Sequence, residues 1–455
     1  MKRNLVIFIV VLLLIITCGG FFIYEYWWAP GQQNINEPEQ IKTLIKKKGQ
    51  EVETKEETLK GEEKLTTEQL FTKSQELIIE AQELIEKTEE FIKEQEKEKQ
   101  LALEKAIQEA YQNSSNVKGV YMTEFIANSQ NPAAVRIRED IKKLLDETEL
   151  NSVVIDVKEA YGPDMPSSLK KLIEELHQAR PDGQPIWVIA RIVVFRDSSL
   201  MDKQPELYIK TKDGDFWQDD GGGFWLDPAS PEVQNYIIEF SKKVIDFGFD
   251  ELQFDYIRFP SDGDLKDIVY PTYNQEEQKY EIISKFLLNL FNSLKSYQPS
   301  TILSVDFFGY TASQFNAFDI GQRLKDVAIF DYISFMLYPS HFYGGLIISE
   351  DLKRGLPAIS FPYTAEDINE VVSNHPYEVV LRSIFSASDC LNSLNSKAKI
   401  RPWLQDFNLK FDTDRGIYYD AEKIRAQIKA TEDAGASGWL LWSSSNIYTK
   451  EALNP

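Results

Sequence analysis

The chain has 455 residues, 43% hydrophobic and 12% aromatic, enough for one large buried core and additional segments. It carries 72 acidic against 50 basic residues, a net charge of −22 that leaves no basic face for tracking phosphates and argues against nucleic acid as a partner. Two cysteines, Cys18 and Cys390, cannot build a disulfide framework, and His177, His341 and His375 stand in no metal-binding spacing, so no metal or other cofactor is expected.

Residues 5–23 are an almost unbroken run of Leu, Ile, Val and Phe. Lys2 and Arg3 precede the run, and Tyr24, Tyr26, Trp27 and Trp28 follow it. About 20 apolar residues span a bilayer as a helix. The basic flank predicts the N-terminus inside and the aromatic cluster marks the far interface, so residues 1–28 are expected to anchor the protein in a membrane with the rest of the chain outside the cytoplasm. Two rivals keep the same orientation: a cleaved signal peptide, although no small-x-small site follows, and a lipoprotein at Cys18, although Thr17 fits that signal poorly.

Residues 29–65 are polar, charged and free of aromatics, the composition of a disordered linker. From residue 66 the pattern changes. Leu70, Ser74, Leu77, Ala81, Leu84, Thr88 and Phe91 alternate steps of four and three, with Ile78, Ile85 and Ile92 beside them. That seam predicts a helical stalk over 66–112. Two arrangements satisfy it: a coiled-coil homodimer, or a single amphipathic helix lying on the following domain.

Beyond residue 116 strands and helices take turns. Apolar β-type runs at 117–125, 151–158, 185–195, 250–259, 301–310, 331–339, 400–407 and 438–444 alternate with helical stretches at 132–146, 167–179, 231–246, 276–294, 320–325, 377–392 and 421–434. Most of the strands are near-continuous apolar runs, as parallel strands covered on both faces should be. Eight such repeats predict a (β/α)8 TIM barrel over 116–455. A doubly wound open sheet would usually carry a glycine-rich nucleotide turn after its first strand, and none occurs.

Barrel chemistry gathers at the carboxyl ends of the strands. Glu124 ends the first run, and Asp156 and Lys158 the second. Arg191 lies in the third, Asp255 and Arg258 in the fourth, and Asp306 in the fifth. Tyr338, Asp406 and Trp442 follow in the sixth, seventh and eighth. Trp225 and other loop aromatics offer flat faces for the C–H faces of sugar rings, or fill core.

The phrases FWLDPASPEVQNYIIEF and FGFDELQFDYIRFP, at 224–240 and 247–260, resemble a bacterial family of (β/α)8 barrels labelled as glycosyl hydrolases of unassigned function, distantly alpha-amylase-like. SVVIDVKEAYG, LSVDFFGY, DYISFMLYPSHF and GASGWLLWSS carry the resemblance across 118–448. It implies a WLDP turn opening the third helix and a catalytic nucleophile at Asp255. The amylase-like pattern commonly has Glu as the acid on strand five, where this chain has Asp306.

Glycoside hydrolysis needs two carboxyl groups across the scissile bond, one ionised and one protonated. Asp255 is the first candidate and Asp306 the candidate acid, with Asp156 and Asp406 in reserve. Arg191, on a neighbouring strand, is placed to keep Asp255 ionised. Glu124, Asp156, Lys158, Arg191, Trp225, Arg258, Tyr338, Asp406 and Trp442 are expected to line the polysaccharide site. The rival class is a catalytically inert barrel that binds glycan and ties the cell envelope to it.

Overall fold

The eight apolar runs become eight parallel strands that close on themselves. The structure, a computed structural model, describes residues 66–178 and 183–454. The expected anchor at 1–28 and linker at 29–65 lie outside the described residues. Among the described residues no helix is long and apolar enough to cross a membrane.

The barrel strands are β1 (Val117–Met122), β2 (Ser152–Glu159), β3 (Trp187–Val193), β4 (Glu251–Asp255), β5 (Ile302–Phe308), β6 (Tyr332–Leu337), β7 (Trp403–Gln405) and β8 (Gly438–Trp442). Each pairs with the next in parallel, and β8 pairs with β1 from Val117 opposite Gly438, which closes the ring. Closure leaves no free sheet edge.

Helices cover the outside. A long α1 (Thr67–Asn113) precedes the barrel. It contains no Gly or Pro, and Thr66 and Gln69 cap its start reciprocally. The chain divides into two units between Gln100 and Leu101. The barrel helices are α2 (Pro132–Glu147), α3 (Ser167–Leu176), α4 (Pro231–Phe247), α5 (Lys279–Tyr297), α6 (Pro376–Ser393) and α7 (Ala421–Asp433). Asn131, Ser230 and Asp420 side chains cap α2, α4 and α7, and proline opens α2, α4 and α6. Gly248, at φ 108°, ends α4 in the left-handed region and turns the chain directly into β4. The expected helix at 320–325 shrinks to Leu324–Val327, preceded by a short helix Tyr310–Gln314.

The main apolar core lies between strands and helices. A second cluster, Val117, Tyr121, Val154, Ile189, Tyr338, Trp403 and Leu440, gathers residues from around the barrel. Alternation along β4 sends Glu251, Gln253 and Asp255 to one face, and their partners come from neighbouring and more distant strands. Glu251 at the floor pairs with Arg401 at 2.9 Å and accepts hydrogen bonds from Trp187 and Ser304. Gln253 bonds Ser334 at 3.1 Å, and Asp255 at the rim meets Arg191. Arg401 also stacks on Tyr332 and donates to the Ser114 carbonyl just beyond α1, while Tyr111 of α1 donates to Asp331. The last turn of α1 is therefore fixed to the floor, opposite the carboxyl ends of the strands.

The end of the fourth strand differs from expectation in a way that bears on the rim. The fourth strand was expected to continue to residue 259, but it stops at Asp255, because Tyr256 turns at φ 55°. A left-handed conformation is uncommon for an aromatic residue and breaks strand pairing at this point.

Glu251 and Arg401 are both fully buried. Removing one partner of a buried pair leaves an uncompensated charge, so Arg401→Met is expected to cost about 3–5 kcal/mol of unfolding free energy. Urea titration of the purified protein measures it; an unchanged midpoint would contradict the assignment of this pair as the barrel's floor.

Candidate active site

Strand alternation delivers Tyr121, Asp156, Arg191, Asp255 and Asp306 to the rim from five successive strands. Their common centre is the Arg191 guanidinium. Its Nη1 donates to Asp156 Oδ1 at 2.6 Å and Glu159 Oε1 at 2.7 Å. Its Nη2 and Nε donate to Asp255 Oδ2 at 2.6 Å and 3.2 Å. The same Nε lies 3.9 Å from Asp306 Oδ2. With 3.2 Å and 3.9 Å to one nitrogen, those two aspartate oxygens are at most about 7 Å apart, compatible with the separations used in glycoside hydrolysis.

Each carboxylate has a second partner. Tyr121 donates its hydroxyl to Asp156. The Tyr256 N–H donates to Asp255 Oδ1 at 2.6 Å, so the Tyr256 turn that ends β4 also binds the carboxylate. Three N–H donors on Asp255 suit an ionised carboxylate, which is acceptor-only. Trp403, reaching from β7, donates Nε1–H to Asp306 Oδ1 at 2.9 Å.

The environments push these acids apart. Burial, reinforced by the charge of Asp255, raises Asp306 well above the usual carboxylate range, and Arg191 and Trp403 only partly oppose it. Burial also raises Asp156, to about 7, against the pull of Arg191. Burial works in the same direction on Glu159, but Arg191 and the Ala160 N–H outweigh it and hold that group low. Burial and then Asp156 raise Tyr121, which keeps its hydroxyl a donor.

The remaining expected residues divide. Tyr338 stacks on Trp442 with centroids 5.7 Å apart and planes at 29°, and Phe407 meets both edge-on. Tyr121 also packs on Trp442, so this aromatic group borders the carboxylates. Arg258 lies over Trp225, which is fully buried and donates to Asp219. Glu124 caps no strand; it starts a short helix, Glu124–Asn128, with Thr123 as cap. It is half-buried, and burial followed by the charge of Glu159 raises its pKa.

Two expectations are corrected. Lys158 does not face the site: a bulge between Asp156 and Lys158 shifts the register and sends the ammonium into full burial, 2.8 Å from Asp197 and 2.6 Å from the Val193 carbonyl. Asp406 binds the N–H and hydroxyl of Thr449, each at 2.9 Å, and so fastens the C-terminal segment. Sequence reasoning did not single out Tyr121, although its alternation with Val117 and Gly119 was a usable signal. Nothing local marks Trp403 as the partner of Asp306, 97 residues away. Among the described residues no group of His, Cys, Asp and Glu is arranged to hold a metal.

The family model described as "Putative glycosyl hydrolase domain" matches residues 119–448. No curated protein matches the chain. Among solved structures, a hypothetical protein from Ruminiclostridium thermocellum ATCC 27405 is similar at 30% identity over 41% of this chain and 96% of that one, with a TM-score of 0.31. The PgaB (BpsB) glycoside hydrolase domain from Bordetella bronchiseptica is similar at 12% identity over 73% and 94%, TM-score 0.48. TtGalA, an alpha-galactosidase from Thermus thermophilus, is similar at 14% identity over 74% and 60%, TM-score 0.41.

The Asp156 environment has a thermodynamic consequence. An unfolded Asp titrates near about 3.9. With the folded group at about 7, the folded state binds more protons in between, so this contribution to stability falls as pH rises through that window. Melting temperatures of wild type and Asp156→Asn from about pH 4 to about pH 7 should show the wild type losing ground to the variant. Parallel profiles would contradict the raised value.

Proposed function

The chain belongs to the glycosyl hydrolase family that its residues 119–448 match, a glycosidase of unspecified substrate, and from that premise we propose that it hydrolyses a polysaccharide through Asp255 and Asp306. The observation that carries the assignment is one arginine lying against both carboxylates, and burial of Asp306 pushes its pKa up.

In this reading Asp306 gives its proton to the glycosidic oxygen as the bond to the anomeric carbon breaks. Asp255, oriented by Arg191 and the Tyr256 N–H, forms a bond to that carbon from the other side. Water then displaces Asp255, losing a proton to the Asp306 carboxylate, and both residues return to their starting states. A separation of at most about 7 Å accommodates the roughly 5–5.5 Å of retaining enzymes and excludes most of the inverting range, which supports this double displacement. Trp442 and Tyr338 would supply the stacking surface for a sugar ring.

We further propose that the enzyme is anchored through residues 1–28 with the barrel outside the cytoplasm, acting on a cell-envelope or extracellular glycan. On α1, Ile78 and Ile85 are exposed at 55% and 49% and stand one heptad apart. That column supports a stalk that pairs with a second copy.

Asp255→Asn and Asp306→Asn should each lower hydrolysis by about 10²-fold or more on an active glycan drawn from a cell-wall and exopolysaccharide panel, with glycan binding and melting temperature retained. Near wild-type turnover in Asp255→Asn eliminates the nucleophile. Early product should keep the anomeric configuration of the substrate by NMR.

Protease treatment of intact cells should release the barrel. Its protection in sealed cells would reverse the orientation.

A further inference from the structure

Arg258 is 6% exposed, yet it has no ion-pair partner among the described residues. Arg191, Arg196 and Arg401 meet carboxylates, at Asp156 and Asp255, at Asp219 and at Glu251, and buried Arg382 spends both terminal nitrogens on the Pro357 and Ser349 carbonyls. Arg258 instead lies over three rings, with its guanidinium carbon 4.9 Å from the centroids of Trp225, Tyr256 and Phe308. Tyr256 follows Asp255 and Phe308 ends β5 two residues after Asp306. The guanidinium is thus wedged beside both candidate catalytic strands.

Among the described residues its only hydrogen bond is from Nη1 to the neighbouring Phe259 carbonyl, at 3.1 Å. A guanidinium has five N–H donors. Among the described residues Nε and Nη2 have no hydrogen-bond partner, and neither is among the fully enclosed unpartnered atoms. The acids nearest in charge are committed elsewhere. Asp255 binds Arg191 and the Tyr256 N–H, Asp262 binds Ser261 and the Asp220 N–H, and Asp219 binds Arg196, Trp225 and the Gly223 N–H. Burying a cation is costly when nothing pairs with it. Aromatic faces offset only part of that cost, and they hold the fork rigid and shield it from competing water.

We propose that Arg258 is the subsite for a carboxylate carried by the glycan, so that the substrate is an acidic polysaccharide. A planar carboxylate matches the fork that Nε and Nη2 present. The two sources of such a group are a uronic acid ring and an ether-linked lactyl substituent. The inference rests on the glycosidase reading of the rim and adds the substrate class to it.

The test uses the full chain on an array of neutral, uronate-bearing and lactyl-ether-bearing oligosaccharides, each acidic glycan paired with its carboxyl-reduced form. Binding is measured for wild type, Arg258→Gln and Arg258→Lys, with melting temperature recorded for each. Wild type should prefer the acidic member of a pair by at least about tenfold. Arg258→Gln should abolish that preference and Arg258→Lys restore part of it; which acidic class is retained identifies the source. If Arg258→Gln does not fold, the carboxyl-reduced pairs on wild type still decide. Equal binding of both members of every pair, or a preference that survives Arg258→Gln, overturns the proposal. Binding and cleavage of neutral glycans alone also overturns it and leaves the glycosidase reading standing. An array on which no glycan is bound overturns both.

Discussion

Arg191 is a single guanidinium facing Asp156, Glu159, Asp255 and Asp306, and the rim is organised around that imbalance. One positive charge cannot neutralise four buried or half-buried carboxylates. The excess is accommodated by protonation, at Asp306 most strongly and at Asp156 to a lesser degree, and by the Tyr121, Trp403 and Tyr256 donors. The chemistry of acid and base on adjacent strands follows from this shortage of positive charge. Arginine suits the place because its fork serves two strands at once and remains charged when buried.

The rim is precise because the floor is rigid. Glu251 and Arg401 form a second buried ion pair at the opposite end of the barrel, braced by Trp187, Ser304 and the Ser114 carbonyl. Between them the interior is filled by side chains such as Ile189, Val154 and Leu440, so the barrel is a packed core and not a channel. Separating the two charged layers lets one serve stability and the other chemistry. The end of α1 is tied to the floor, at the amino ends of the strands.

The Tyr256 turn links backbone conformation to the site. By adopting φ 55° it ends β4 at Asp255, aims its own N–H at that carboxylate and lays its ring beneath Arg258. A residue held in a sparsely populated region at a strand end is where strain is commonly stored for function. The insertion after β3 completes the wall: Trp225 comes from it, and its Lys210–Thr211 pairs antiparallel with Ile268–Val269 beyond β4.

Much of this was legible in the chain itself. Eight apolar runs alternating with helical stretches are local signals, because backbone sterics and burial on two faces act over a few residues. They suffice for the barrel and for which residues stand at strand ends, and therefore for Asp255, Asp306, Asp156 and Arg191 as candidates. Other features depended on contacts that only closure creates. Lys158 was indistinguishable from a rim residue until the bulge turned it away, and Asp406 until Thr449 was brought beside it. Trp403 meets Asp306, and Arg401 meets Glu251, because distant strands face one another across the ring. Strand periodicity tells which face a side chain takes; who stands opposite, and hence each acid's protonation, is decided by barrel closure, where burial and neighbouring charge act through space and not along the chain.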